Sequence, residues 1–510
     1  MNKIILLLSL IFSAFAFSQK IKLKVTGEKD TTVFLVKYYG KGMYYADTAQ
    51  MKGGVVEFDG KKQKPGVLAL LLSGQRLFDF IYNNDEVQLE TQGPDFVKAM
   101  KVKKSNENIL FLNYISFMNE QSVKSKELKE LRDKQKKDDE TYKKLSIDLE
   151  NITKNVIAYQ KNIVNNNPST LVGKIVKMSM DVDIPESPKK SDGSLLDSNF
   201  SYNYFRDHYF DNIDLNEDNL LNTPVFHNKL EFYFSPKMLI PHPDTVVKYA
   251  YRFVDKLNPS SEMFKYCLTY ITSNFEKSNI MGMDKVFVRM GQRYYCVKNP
   301  NGKTNITWME DDKLKDLCKK VETYKNLVQG VVPPNITLLD TSDTKWRDFY
   351  SLKSDYTILY FWDPECGHCK KTTPKLGELY SKKLKTRNIE VFAIGKAIGE
   401  DFNKWKKFIK ENNLNFINVA LTEKLYKAAL EDARKFVPQF TTVESLNYQE
   451  TYDIFSTPKI FVLDKDKKII AKSLSISQLE DMLDHLQGKK NEPKLFPPDP
   501  EEEEHAKENK

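Results

Sequence analysis

From Lys20 to about Thr91 the chain is built of short β-type runs, apolar and polar positions alternating in several of them, divided by turn residues. "KIKLKVTG", "TTVFLVKYY", "GGVVEFDG", "VLALLLSG", "RLFDFIYN" and "DEVQLET" each read as a strand, with breaks at Gly27–Asp30, Gly53–Gly54, Pro65–Gly66 and Asn83–Asp85. Several short strands at this spacing predict a small sandwich or barrel. From about Asn106 the period becomes helical. Ile109, Leu112, Ile115 and Phe117 open an amphipathic stretch that the charged run to about Gln160 continues, as one long helix or a hairpin. "DVDIPESPKKSDGS" is a loop by its Pro, Ser and Gly content. The helical segments after it, such as "DTVVKYAYRFVDKL" and "EMFKYCLTYITSNF", carry aromatics at three- and four-residue spacing, which is the mark of a core.

After the Gly/Pro-punctuated "VQGVVPPNI" the pattern alternates strand and helix: "YTILYFW", "CKKTTPKLGELYSKKL", "NIEVFAIG", "EDFNKWKKFIKENN" and "NFINVA". "KIFVLD" and "KIIAKSL" then form a hairpin, and "SISQLEDMLDHLQG" closes with a helix. This is an α/β layer arrangement. The last stretch, "NEPKLFPPDPEEEEHAKENK", reads as a disordered charged tail. The predicted architecture is therefore multidomain. A leader (1–18) precedes a β-rich, sandwich-like domain (19–98), an all-α domain (99–328), an α/β domain (329–488) and the tail (489–510).

The leader changes the chemistry expected of the rest. "MNKIILLLSLIFSAFAFSQ" has Lys3, then about 14 apolar residues, too few for the roughly 20 that span a bilayer. Ala16 and Ser18 have the spacing a signal peptidase accepts, which would leave Gln19 first. No cysteine lies near the cut for lipid attachment, and no later stretch is apolar enough to span a membrane. The expected location is the periplasm or another extracytoplasmic compartment, where disulfides are permitted. The net charge of +8 is modest for 510 residues and the lysines are interleaved with acids, so nucleic-acid binding is not expected. His208, His227 and His242 have no ligand-like pairing, which argues against zinc. Of the five cysteines, Cys267, Cys296 and Cys318 are scattered. Buried free thiols are the plain reading for them, with one bridge of undetermined pairing open.

Cys366 and Cys369 are the close pair, in "PECGHCKKTTPK". One C-x-x-C without a second Cys or His pair leaves a metal two ligands short. A peroxiredoxin would place Thr where Asp363 stands. The motif sits where the strand "YTILYFW" hands over to a helix, so Cys366 lies at the helix N-terminus, where unpaired N–H groups and the dipole favour a thiolate. Cys369 falls in the first turn on the same face, close enough to close a bridge. Cys366 is then the nucleophile and Cys369 the resolving thiol. His368 can tune the potential by donating to the Cys366 sulfur, which would make the disulfide more oxidising. Glu365 opposes that, and Lys370 and Lys371 partly offset it.

At these residues the chain resembles the thioredoxin superfamily, and most the exported TlpA/ResA branch of thiol-disulfide oxidoreductases. The resemblance covers about Pro333 to Gly488. It rests on Phe361-Trp362, the C-x-x-C, Pro374 five residues after it, and Thr457-Pro458 directly before a strand. It implies a cis Pro458 packed beside the redox pair, Thr457 and Pro458 as a platform for an extended substrate, and Trp362 packed beside the pair. It implies no metal or other cofactor, disulfide-containing exported proteins as substrates, and a membrane thiol electron donor. "HYFDNIDL" and "GMDKVFVRMGQRYY" are similar to a helical domain of bacterial relatives, which implies architecture rather than activity. Two acids of the family are missing: Tyr360 stands at the buried acid of thioredoxin, and Thr372 at a glutamate common in the TlpA/ResA branch. The base for Cys369 is thus open between Glu365 and water. A long segment before Thr457, with a helix expected at Glu423–Lys435, could shape access. Three functions stay open: a reductase, an oxidase or isomerase favoured by the Gly-His dipeptide, and a binding protein with a regulatory redox pair.

Overall fold

The computed structural model describes residues 19–72 and 75–498. The expected leader lies outside them, as does the end of the expected tail from residue 499. The chain forms two compact units. One runs to residue 240 and takes in 252–267; the other comprises 241–251 and the residues from 268.

The first unit opens with eight strands in two four-stranded sheets: β1 (Lys20–Thr26), β2 (Thr32–Tyr39), β3 (Gly42–Gln50), β4 (Val55–Asp59), β5 (Gly66–Leu72), β6 (Gln75–Tyr82), β7 (Val87–Gln92) and β8 (Lys101–Lys104). The sheets run β4-β1-β7-β8 and β3-β2-β5-β6. Ile21, Leu23 and Val25 of β1 alternate inward against Leu68, Leu70, Phe78 and Phe80. The sandwich takes in β8, so its sheet passes the boundary placed at 98. The charged region after it is a helical hairpin, Asn106–Arg132 and Glu140–Asn166, each helix capped by a side chain (Ser105 and Asp139). Asn108 docks the first helix on the sandwich. Its amide donates to the Ile81 carbonyl at 2.7 Å and its oxygen accepts from the Ile81 N–H at 2.8 Å. Those bonds occupy part of the free edge of β6, which would otherwise invite another strand. The aromatic stripes are core, as expected: Phe210 meets Phe253 and Tyr233 at ring distances of 4.4 and 4.7 Å.

The second unit carries a seven-stranded sheet. Its strands are β9 (Thr337–Asp340), β10 (Trp346–Asp348), β11 (Tyr356–Trp362), β12 (Ile389–Ala397), β13 (Ile417–Thr422), β14 (Lys459–Leu463) and β15 (Ile469–Lys472), in the order β10-β9-β13-β12-β11-β14-β15. β11, β12 and β13 are parallel, whereas β14 is antiparallel to β11. β11 is buried on both faces. Ile358, Tyr360 and Trp362 join the core under the helices Gly367–Leu379 and Ile476–Leu486, while Leu359 and Phe361 join the opposite one. Each such aliphatic or Phe side chain contributes roughly 1.5–3 kcal/mol. Gly395 of β12 is required by packing, because a Cβ there would stand 2.1 Å from Trp405 of the helix Asp401–Glu411.

Cys296 and Cys318 form a disulfide, which corrects the plain expectation of free thiols at both; Cys267 is free and buried. Residues 489–498, assigned to the disordered tail, pack against the sheet's helical layer. Composition misled here because several of the charges meet buried partners instead of facing solvent.

Candidate active site

β11 ends at Trp362, and the chain turns through residues 363–365 into the helix Gly367–Leu379, with Cys366 at its N-cap. Asp363 builds the turn. Its Oδ1 accepts from the Glu365 N–H at 2.8 Å, and its carbonyl from the Cys366 N–H at 3.2 Å. A cysteine so placed meets the unpaired N–H groups of the first helical turn. Partial burial pushes the Cys366 thiol up. The backbone N–H of Cys369, the Thr457 side chain, the Cys369 thiol and the His368 N–H outweigh it, and the pKa falls below the ordinary thiol value. Cys369 is fully buried, and that burial pushes its thiol up to about 11. One thiol is thus shifted toward the thiolate and its neighbour held protonated.

The structure places Thr457 and Pro458, expected as a platform, next to Cys366. The Thr457–Pro458 bond is cis, and the Cys366 thiol donates to the Thr457 carbonyl at 3.2 Å. Trp362 is buried in the core that includes Cys369, its ring 5.3 Å from that of Phe408. His368 departs from expectation. It is exposed, its ring makes no hydrogen bond among the described residues, and what reaches Cys366 is its backbone N–H.

Lys370 was expected beside Glu365, whereas Lys404 and Lys396 were not. The Glu365 carboxylate is held by Lys404 at 3.2 Å and Lys370 at 3.6 Å. Lys396 lies 3.3 Å from both Asp363 and Asp401. Lys404 sits on the helix Asp401–Glu411 that Gly395 lets approach, and its position 39 residues from Glu365 leaves no local signal. With two lysines on it, Glu365 is offset as a repellent of the thiolate, and its carboxyl lies below the usual range, first through the Lys404 hydrogen bond. Tyr360 is buried with its hydroxyl 2.7 Å from Thr373 Oγ1, and burial raises it far above the ordinary phenol, so it stays protonated. Neither residue supplies a ready base for Cys369.

The segment before Thr457 folds as the helices Glu423–Asp432, Val443–Leu446 and Tyr448–Thr451, the first extended by a short turn to Lys435. Tyr448 and Tyr452 pack on Phe361 at 6.0 and 5.0 Å. They anchor the segment so that Phe455, 91% exposed, stands two residues before Thr457. Phe455 edges a cavity of about 230 Å³ that Trp362, Lys396 and Tyr448 also line.

Alkylation will follow these thiol environments. Iodoacetamide should modify Cys366 with a half-maximal rate below the ordinary pH of about 8.5, because only the thiolate reacts and its fraction rises through the pKa. Cys369 should resist until near pH 11. A half-point for Cys366 at or above about 8.5, the value of a free cysteine, would contradict the N-cap account.

Comparison with known proteins agrees with this geometry. A family model described as thioredoxin-like matches residues 354–469, and a domain of unknown function (DUF4369) matches residues 19–111. The thiol-disulfide oxidoreductase ResA of a Bacillus cereus strain is 26% identical over 158 residues, covering 31% of this chain and 76% of that protein. ResA of Bacillus subtilis (strain 168) is 24% identical over 146 residues, 29% of this chain and 67% of its own. A domain of a possible thiol-disulfide isomerase from Cytophaga hutchinsonii ATCC 33406 is 32% identical, with 32% of this chain and 96% of that chain covered and a TM-score of 0.25. Through its C-terminal α/β domain, the chain belongs to the thioredoxin superfamily as a TlpA/ResA-like thiol-disulfide oxidoreductase.

Proposed function

We propose that the protein is exported and reduces disulfides in extracytoplasmic proteins through Cys366 and Cys369. The observation that carries the chemistry is the contrast between the two thiols, one lowered at a helix N-cap beside Thr457, the other buried and raised. In the first step the Cys366 thiolate attacks one sulfur of the substrate disulfide. The Cys366–substrate bond forms, the substrate S–S bond breaks, and the departing sulfur leaves as a thiolate that takes a proton from water. In the second, Cys369 gives its proton to solvent and attacks Cys366 Sγ, releasing the second substrate thiolate. The substrate gains two electrons, and the protein is left with a Cys366–Cys369 disulfide. A dithiol donor, which we place at the membrane, returns the electrons by the reverse exchange.

One observation favours reduction over oxidation: the His368 ring, which would have stabilised the thiolate and raised the potential, makes no bond to Cys366 among the described residues. Export rests on the leader sequence, and no described helix is long and apolar enough to cross a membrane. The reduction potential of the pair, titrated against dithiothreitol with Cys366→Ser as blank, tests the direction. About −270 mV, as in thioredoxin, is the expected value, and about −180 mV or higher would make the protein a disulfide donor or isomerase instead.

A further inference from the structure

A cavity of about 390 Å³ opens between Pro458 and Thr372, and part of its wall comes from Phe496 and Pro497. Pro458 and Ser456 line it from the platform loop, Thr372 from the motif helix, and Ser473 from the turn after β15; Phe496 and Pro497 close it. Thr372 lies three residues past Cys369, and Pro458 follows the residue whose carbonyl holds the Cys366 thiol. The cavity is therefore walled by the helix that carries the redox pair and by the cis-proline that follows Thr457.

Phe496 and Pro497 are delivered there by buried charge. The Glu480 carboxylate accepts from the Leu495 N–H at 2.9 Å and the Phe496 N–H at 3.2 Å, and also receives Lys383. Lys383 donates to the Pro493 carbonyl at 2.8 Å. Arg387 holds Asp484 at 2.6 Å and Glu492, and Lys494 reaches Asp484 at 3.2 Å and Asp481. Glu480 and Asp484 are almost fully buried. Charges are taken out of water at a cost that only such pairing offsets, and here the pairing fixes one short segment at the wall of this cavity.

We propose that residues 489–498 are a strap that completes the substrate pocket, with Phe496 and Pro497 as specificity-determining residues for polypeptide disulfides. The inference rests on the oxidoreductase reading above. Its occupant is the extended stretch of the substrate chain next to its reactive cysteine, crossing Thr457 and entering the cavity. The hydroxyls of Thr372, Ser456 and Ser473 suit a small polar side chain there, and Phe496 covers its apolar stem. A pocket of this size is within the range that holds a bound side chain and its neighbours. A small disulfide reaches Cys366 without filling it.

The test compares two probes on the reduced full chain, with dithiothreitol recycling. One is a disulfide-linked dimer of an extended hexapeptide carrying serine beside its cysteine; the other is bis(2-hydroxyethyl) disulfide. The expected result is a preference of the wild type for the peptide, and a ratio of the two kcat/KM values that falls about tenfold in Phe496→Ala, the size of effect one pocket contact produces. The loss should lie in KM for the peptide, with the reduction potential unmoved. Thr372→Trp narrows the same cavity from the opposite wall with the strap intact, and should lower the ratio likewise; it decides the matter if Phe496→Ala does not fold. An unchanged ratio in a folded variant, or no preference in the wild type, overturns the strap while the oxidoreductase stands. Failure of the wild type to reduce either probe overturns the underlying reading itself.

Discussion

Cys366→Ser should abolish disulfide exchange, with a loss of at least about 10³-fold in the rate of disulfide reduction, while the fold persists. Serine keeps the size and the N-cap position, and replaces a sulfur whose thiolate the helix N-terminus stabilises with a hydroxyl that does not ionise near neutrality. The neighbouring thiol cannot take over. Cys369 is fully buried and its pKa is pushed up to about 11, so at neutral pH it presents a protonated sulfur out of reach of a protein disulfide. The other free thiol, Cys267, is buried and raised well above the ordinary value by that burial. Activity retained within tenfold in Cys366→Ser, with unchanged melting, would show that exchange runs elsewhere.

The second large effect is on stability. Glu480→Ala should destabilise the α/β domain by about 3–5 kcal/mol, the cost of removing one partner from a buried ion pair. Lys383 would remain in a site 10% exposed, and the Leu495 and Phe496 N–H groups would lose their acceptor. Asp484 adds a pH dependence of known sign. Burial pushes its carboxyl up, but Arg387, Lys494 and Lys383 outweigh that and hold it below the usual range. Its contribution is therefore present above the unfolded carboxyl value of about 3.9 and is lost as pH falls through the lower folded value. Denaturant unfolding of the full chain checks both points. A change in Glu480→Ala of less than about 1 kcal/mol, the scale of a surface pair, would mean that the network is solvated.

What could be read from sequence was what is local. β11 announces itself as an apolar run because both its faces are covered, and the C-x-x-C at its end and Thr-Pro before β14 keep fixed spacings. The sandwich strand β3 was not visible, since Met43, Tyr44 and Tyr45 are exposed and no alternation marks a buried face. β8, only "KVKK", carries one apolar residue. β9 and β10 are too short to establish a period. The Cys296–Cys318 pairing requires two segments to be placed in space, which spacing alone does not do. In the site, the two thiols and Pro458 were legible, whereas the Lys404–Glu365 contact depends on how Trp405 settles over Gly395. The strap was misread for a physical reason. A Pro-rich, charged sequence is disordered when its charges are solvated, but Glu492 and Lys494 meet Arg387 and Asp484 in a buried network.

Cys369→Ser separates the two steps of the exchange. Removing the resolving thiol should stop the reaction after its first step. The reduced variant, mixed with one equivalent of a peptide disulfide at neutral pH, should accumulate a mixed disulfide that peptide mapping places on Cys366. An adduct on another cysteine, or none while the wild type still reduces the same peptide, would contradict the assignment of Cys366 as the attacking sulfur.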